Sequence, residues 1–160
     1  MQLIQAKAED VAAVATLYEA VKQGPHCVWT EHYPTIEHAV ADAAAGCLYL
    51  LLQDGQLVGC ASVEPIPEDD DLPWQVCDGN HREIARVAIA PAYQGYGFAR
   101  AMIRLLLEEL KHQGVSSVHL LAARANPPAV KTYRSLGFTQ LGECYRYGAD
   151  YYIFELVLLA

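Results

Sequence analysis

Between Pro91 and His112 the chain reads PAYQGYGFARAMIRLLLEELKH, and the turn into its helical part carries two glycines, Gly95 and Gly97. A strand pattern, Glu83 to Ile89 (EIARVAI), precedes the turn, and a helical apolar stripe from Phe98 to His112, stopped by Gly114, follows it. Glycine at 95 and 97 allows backbone conformations that point successive N–H groups into one concave nest. The unpaired amides and positive dipole end of the following helix add to that nest. A turn of this kind holds an anion, and a pyrophosphate is the natural occupant. Arg100 fits the same reading, because a cation in a first helical turn is disfavoured by roughly a few tenths of a kcal/mol unless an anion sits beside it. The alternative is a solvated arginine on the face shared with Arg104 and Glu108.

Two common phosphate folds are disfavoured at once. A dinucleotide fingerprint GxGxxG would place a third glycine where Arg100 stands, and the next strand, Val118 to Ala122, ends on Ala123-Arg124 without a ribose-binding carboxylate. The Walker pattern GxxxxGK[ST] is absent.

Composition narrows the class further. At roughly 150 residues per domain, 160 residues make one domain, expected to span residues 1–160. Apolar residues at 53% and charged residues at 19% exclude a disordered or coiled-coil chain. A net charge of −8 argues against nucleic-acid binding by bulk attraction to phosphates. The most apolar stretch, Tyr151 to Ala160, carries Glu155 and falls short of the ~18 residues that span a bilayer. The amino terminus lacks a basic-then-apolar signal, so the expectation is a soluble cytoplasmic protein with no membrane partner. Five cysteines without a CxxC pair read as free thiols, and six scattered histidines without HxH or HExxH give no metal site.

Charge is unevenly divided. Residues 1–80 hold two basic and thirteen acidic side chains, a sum of −11; residues 81–160 hold nine basic and six acidic, a sum of +3. Either chance produced this, or an anionic cofactor belongs to the second half and a cationic substrate to the first.

The remaining elements follow from periodicity and punctuation. Residues 2–6 read as a strand, and Val11, Val14, Leu17, Tyr18 and Val21 mark a helix ended by Gly24-Pro25. Thr35 caps a second helix closed by Gly46, with His38 three places on where a capping box would have glutamate. Leu48–Gln53 and Gln56–Val63 flank Asp54-Gly55, a hairpin signal. Residues 64–80, with three prolines and the run Glu68–Asp71, read as a mobile acidic loop. Asn126-Pro127 opens a helix that stops at Gly137, and Leu141–Tyr147 with Tyr151–Leu159 close the chain as a hairpin about Gly148–Asp150.

With these residues in place, the chain resembles the GNAT superfamily of N-acetyltransferases. Gln94, Gly97 and Ala99 match its acetyl-coenzyme-A motif Q/R-x-x-G-x-G/A, and Val87 to Pro91 resembles the strand leading into it. Asn126, Ala129, Tyr133 and Gly137-Phe138 match its second motif, N-x-x-A-x-x-x-Y-x-x-x-G-F, in the right order. The close match covers about residues 83–138; the flanks agree only in element order. The resemblance implies an α/β domain with a mixed, mostly antiparallel, splayed sheet of about seven strands and about four helices. It implies acetyl-CoA as cosubstrate, with backbone groups of Val87, Ala88 and Ile89 along the pantetheine arm. Gln94, Gly95, Tyr96, Gly97, Phe98, Ala99 and Arg100 then surround the pyrophosphate, and Asn126 contacts the arm. It also implies a homodimer as one arrangement, for which the terminal strands offer an interface.

Acyl transfer to an amine needs a neutral amine, a stabilised oxyanion and a proton for the departing thiolate. The resemblance makes Tyr133 the acid, against a reading as a packed core tyrosine, and Glu83 the base, against an exposed strand-end carboxylate. His81 and Glu64 are reserves for the base, and the Val87 N–H is the polariser of the acetyl carbonyl. Trp29, Tyr33 and Glu64 are candidate acceptor contacts, because aromatic faces and carboxylates both favour a cation; core packing explains Trp29 as well. The expected reaction is direct transfer to a primary amine, on a small molecule or a peptide, without a covalent acyl-enzyme. The competing expectation is a catalytically silent acyl-CoA-binding regulatory module.

Overall fold

The computed structural model describes residues 1–68 and 70–158; Asp69 of the acidic run, Leu159 at the end of the last expected strand, and Ala160 lie outside the described residues. Its elements are β1 (Gln2–Gln5), α1 (Val11–Lys22), α2 (Ile36–Ala44), β2 (Leu48–Gln53), β3 (Gln56–Pro65), β4 (His81–Ile89), α3 (Phe98–His112), β5 (Ser117–Ala123), α4 (Pro127–Ser135), β6 (Thr139–Arg146) and β7 (Ala149–Val157). The strands form one seven-stranded sheet in the order β1-β2-β3-β4-β5-β7-β6. Only β4 and β5 run parallel; every other neighbouring pair is antiparallel. This is the mixed, mostly antiparallel sheet with four helices that the resemblance implies.

Alternation along the strands gives the sheet two apolar faces. One packs Tyr49, Leu51, Val63, Ile84, Val118, Leu120 and Phe154 against Met102, Ile103, Leu106 and Leu110 of α3 and Val130 of α4. The other packs Leu48, Leu50, Cys60 and Ala88 against Val14, Leu17 and Tyr18 of α1 and Ala39 of α2. A fully buried leucine such as Leu106 contributes roughly 2 kcal/mol to this packing.

Local signals account for most element ends. In α2 the His38 Nδ1 accepts the Thr35 N–H at 3.0 Å, so histidine fills the glutamate's place in the capping box. Asn126 caps α4 by accepting the Ala129 N–H at 3.3 Å, with proline following it. Asp54 and Gly55 both have positive φ, as a two-residue primed turn requires. The closing hairpin differs from the expectation. Its turn is Tyr147-Gly148, both at positive φ, and β7 already begins at Ala149. The strong local signal at Gly148–Asp150 had drawn the turn too far along the chain.

The reading of residues 64–80 as a mobile loop needs correction in its second half. Trp74 stacks on His119 of β5, ring centroids 4.0 Å apart, and the N–H groups of Gln75 and Val76 donate to Glu155 of β7 at 2.7 and 3.1 Å. Glu155 also accepts from Ser117 Oγ at 2.7 Å and contacts His119 Nε2 at 2.9 Å. Burial opposes its charge, but the Gln75, Ser117 and Val76 donors outweigh burial and hold its pKa below the usual carboxylate range. This segment covers the face of β5 and β7 that α1 and α2 leave bare.

Candidate active site

The central notch comes from strands that part company. β4 pairs with β5 only over His81–Glu83 against Ser117–His119, yet β4 runs on to Ile89 and β5 to Ala123. Beyond Glu83 the facing edges carry backbone groups without a strand partner, and buried groups of that kind call for hydrogen bonds. On its other side β4 bulges against β3, because Cys60 pairs with Ala88 and Ser62 with Ala85, leaving Ala61 opposite both Arg86 and Val87. Arg86 carries the bulge at φ +51, a left-handed conformation that costs a residue with a side chain about 1–2 kcal/mol.

At the C-terminal end of β4 the glycine turn leads into α3. Gly95 and Gly97 lie at φ +84 and +83, and a Cβ at either would meet no atom within 4 Å. The space beside both glycines is therefore open. Gly97 is the N-cap of α3, so the first-turn amides of Phe98, Ala99 and Arg100 remain without side-chain caps. Phe98 packs edge-on against Tyr93 at 5.4 Å, which steadies the turn, while Tyr96 is exposed. Two residues are placed differently from a simple anion cradle. Gln94 Nε2 donates to the Ile89 carbonyl at 2.9 Å, and Arg100 Nε donates to Ser135 Oγ at 3.2 Å, bridging α3 to α4. Ala88 is buried among α1 contacts, so only its backbone is available to a ligand.

Tyr133 lies on α4, and Asn126 is the residue that caps it. Tyr133 is 7% exposed and packs against Phe138 at 5.7 Å and Phe154 at 6.3 Å. Burial alone pushes its pKa above the ordinary phenol value, with no charged or hydrogen-bonding neighbour contributing. A neutral, unpaired phenol is a donor over the whole working pH range. The Asn126 oxygen is committed to capping α4, which leaves its Nδ2 group to offer a ligand.

The opposite end of the notch is acidic. Glu64 and Glu83 are cross-strand partners, and the register continues from Glu83 to His119 and from His119 to Glu155, placing four titratable residues side by side across the sheet. Burial, then Glu64 and Asp70, pushes the Glu83 carboxyl up to about 7, against the pull of Arg86 and Arg146. Arg86 donates to Asp42 through Nε and Nη2 at 2.9 and 3.1 Å, to Glu64 at 3.0 Å and to the Tyr33 hydroxyl at 3.1 Å. Burial works against the Arg86 charge, yet the bonds to Asp42, Tyr33 and Glu64 prevail and raise its pKa.

The structure thus brings Tyr33, Glu64 and Glu83 to one place. Trp29 goes elsewhere: it lies edge-on to Tyr18 at 5.8 Å and packs with the α1 core. His81, the reserve base, accepts the Gly79 N–H at 3.2 Å, and its ring faces His119 at 5.2 Å. Arg86 and Asp42 were missed by sequence reasoning; the only signal was an arginine inside the apolar run EIARVAI. Among the described residues no group of three or more His, Cys, Asp or Glu side chains forms a metal site, and no helix is long and apolar enough to cross a membrane.

A splayed, mixed seven-stranded sheet with a glycine turn leading into α3 defines the class of fold, and sequence comparison makes it specific. Residues 13–138 match the acetyltransferase (GNAT) family, and the chain belongs to that family. Rat N-acetyltransferase 8 is 24% identical over 119 residues, 74% of this chain and 50% of the rat protein. The [ribosomal protein bS18]-alanine N-acetyltransferase of Haemophilus ducreyi is 28% identical over 76 residues, 46% of this chain and 52% of that protein. The chain therefore spans about half the length of these curated relatives. Among solved structures, that of yncA from Salmonella typhimurium with its cofactor acetyl-CoA superposes with a TM-score of 0.77 at 22% identity, over 100% of this chain and 95% of that one.

Proposed function

We propose that the chain, with residues 1–160 as one domain, moves an acetyl group from acetyl-CoA to a primary amine by direct attack within a ternary complex. The observation that carries this reading is the notch: β4 loses its partner after Glu83, continues through a bulge and ends beside an open glycine cradle. Family membership supports it, as does the match in fold to a relative solved with acetyl-CoA.

Acetyl-CoA supplies an acyl group already activated as a thioester. The free edge of β4 at Val87 and Ile89 holds the pantetheine arm as an added strand would, and the amides of residues 95–100 hold the diphosphate. The Val87 N–H is the donor to the acetyl oxygen, a backbone role that side-chain substitution leaves standing. Tyr133 donates its proton to sulfur as the thiolate leaves. Glu83, with a pKa near the working pH, removes the proton from the incoming ammonium.

The acceptor side is read from its charge. Glu64, Glu83 and Asp70 face it, while Arg86 is already engaged by Asp42 and Glu64, and Arg146 by Asp71. A cation is welcome there, and the two arginines that act on Glu83, Arg86 and Arg146, already hold carboxylates. The acceptor is therefore an amine without a neighbouring carboxylate, such as a peptide amino terminus or a diamine, rather than a free amino acid. The name of the Haemophilus relative, which acts on an alanine of a ribosomal protein, is compatible with the peptide choice. The test is thiol release from acetyl-CoA with putrescine, lysine methyl ester, free alanine and an alanine-led hexapeptide. Turnover with the diamine, ester or peptide but not with free alanine is expected; binding of acetyl-CoA with no thiol release from any acceptor would identify the silent module instead.

A further inference from the structure

Arg86 combines two unusual features. Its backbone sits in the left-handed region at the β4 bulge, and its side chain is only 8% exposed. A long side chain at positive φ persists only where its surroundings over-determine it. They do so here from three directions. Asp42 of α2 takes the guanidinium fork in bidentate fashion, with its Oδ2 also accepting from Ser62 Oγ of β3 at 2.6 Å. Glu64 of β3 takes a further Nη2 bond, and the Tyr33 hydroxyl of the loop before α2 takes one from Nη1.

Four of the five guanidinium donors are thereby used, so Arg86 has little left to bind a substrate group. Its contacts instead join the two halves of the site. Main-chain atoms of Arg86 set the bulge, and the next residue is Val87. Side-chain atoms of Arg86 set Tyr33 and Glu64 on the acceptor wall. We propose that Arg86 is a positioning residue for the transfer step, locking the bulge that aims the Val87 N–H and, through the same guanidinium, fixing the acceptor wall. The inference rests on the acetyl-transfer reading above. Lysine does not replace it, because one ammonium cannot span Asp42, Glu64 and Tyr33 in a planar fork.

The experiment compares wild type with Arg86→Gly, which accepts φ +51 without strain. The Val87 amide is followed by proton–nitrogen NMR with CoA and then with acetyl-CoA, alongside kcat with the best acceptor of the panel. In wild type the Val87 proton moves downfield from the CoA to the acetyl-CoA complex. In Arg86→Gly acetyl-CoA affinity stays within about 3-fold, that displacement is lost, and kcat falls by about 10- to 100-fold. Millimolar guanidinium restores part of both, whereas Arg86→Lys does not. Asp42→Asn, which removes the bidentate partner, shows the same losses in smaller measure and serves if the glycine variant fails to fold. The pH profile is a further readout. Glu83 is faced by Glu64 of β3, His119 of β5, Asp70 and Tyr33 of the loops, Arg146 of β6 and Arg86 itself, so losing the Arg86 charge moves the acid limb to higher pH. An Arg86→Gly protein that keeps both the amide displacement and kcat overturns the role of Arg86 and leaves acetyl transfer standing. A wild-type chain that binds no acetyl-CoA overturns both.

Discussion

The two ends of the notch are made from different materials. The end formed by β4, the glycine turn and α3 offers mainly main-chain groups: the free edge after Glu83 and the amides following Gly97. The end facing Tyr33 offers side chains from four separate places, with Tyr33, Asp42, Glu64 and Arg86 in one hydrogen-bonded cluster. Main-chain sites need a conformation and tolerate changes in side chain. Side-chain clusters need identities, and a single substitution alters both charge and geometry. Under the proposed function, a chain built this way keeps its acyl donor while its acceptor changes.

The contrast can be broken most sharply at Tyr133. Tyr133→Phe is expected to lower kcat by about 100-fold or more while leaving the acetyl-CoA Kd near wild type, read by thiol release and calorimetry. Unimpaired turnover would return Tyr133 to the core.

Glu83→Gln comes next, with a loss of about 10- to 100-fold in kcat/KM at pH 8. As a base Glu83 acts when ionised, so wild-type kcat/KM should rise with pH through about 7 and level off above it, and the variant should lack that limb. Stability carries the opposite sign. The folded carboxyl at about 7 lies above an unfolded value of ~4.3, so the folded state binds the proton more tightly and Glu83 stabilises least at high pH. Glu83→Gln should therefore melt above wild type at pH 8, the gap closing as pH falls toward about 4.

Gly97→Val tests the main-chain end. At φ +83 a β-branched residue is strained, and a shift of the cradle should weaken acetyl-CoA binding by about 10-fold, with no direct effect on acceptor selectivity. The smallest effect is expected at Trp29. Trp29→Phe should leave the acceptor KM within about 2-fold and lower thermal stability by roughly 1–2 kcal/mol, since it packs on Tyr18. A large KM change would restore it to the acceptor wall.

Legibility in the sequence followed the same division. Gly95 and Gly97, the Asn126-Pro127 cap and the Asp54-Gly55 turn each act within a few residues, so their order along the chain already carries the fold and the glycine turn at the head of α3. Asp42 and Arg86 lie 44 residues apart, and Glu155 reaches Gln75 across 80; such partners leave no periodic trace. Glu83 was legible only as a residue type at a strand start, because its raised pKa comes from Glu64 and Asp70 brought in by folding. The turn at Tyr147 was hidden for a different reason: tyrosine is an uncommon occupant of left-handed turn positions.

The grip of Glu155 on Gln75 and Val76 has one more implication. It staples the descent from β3 to β4 onto β7, so Gln75 and Val76 shift only if the sheet itself does. Cutting those two donors with a Glu155→Gln change would unhook a loop end that three strands now hold in register.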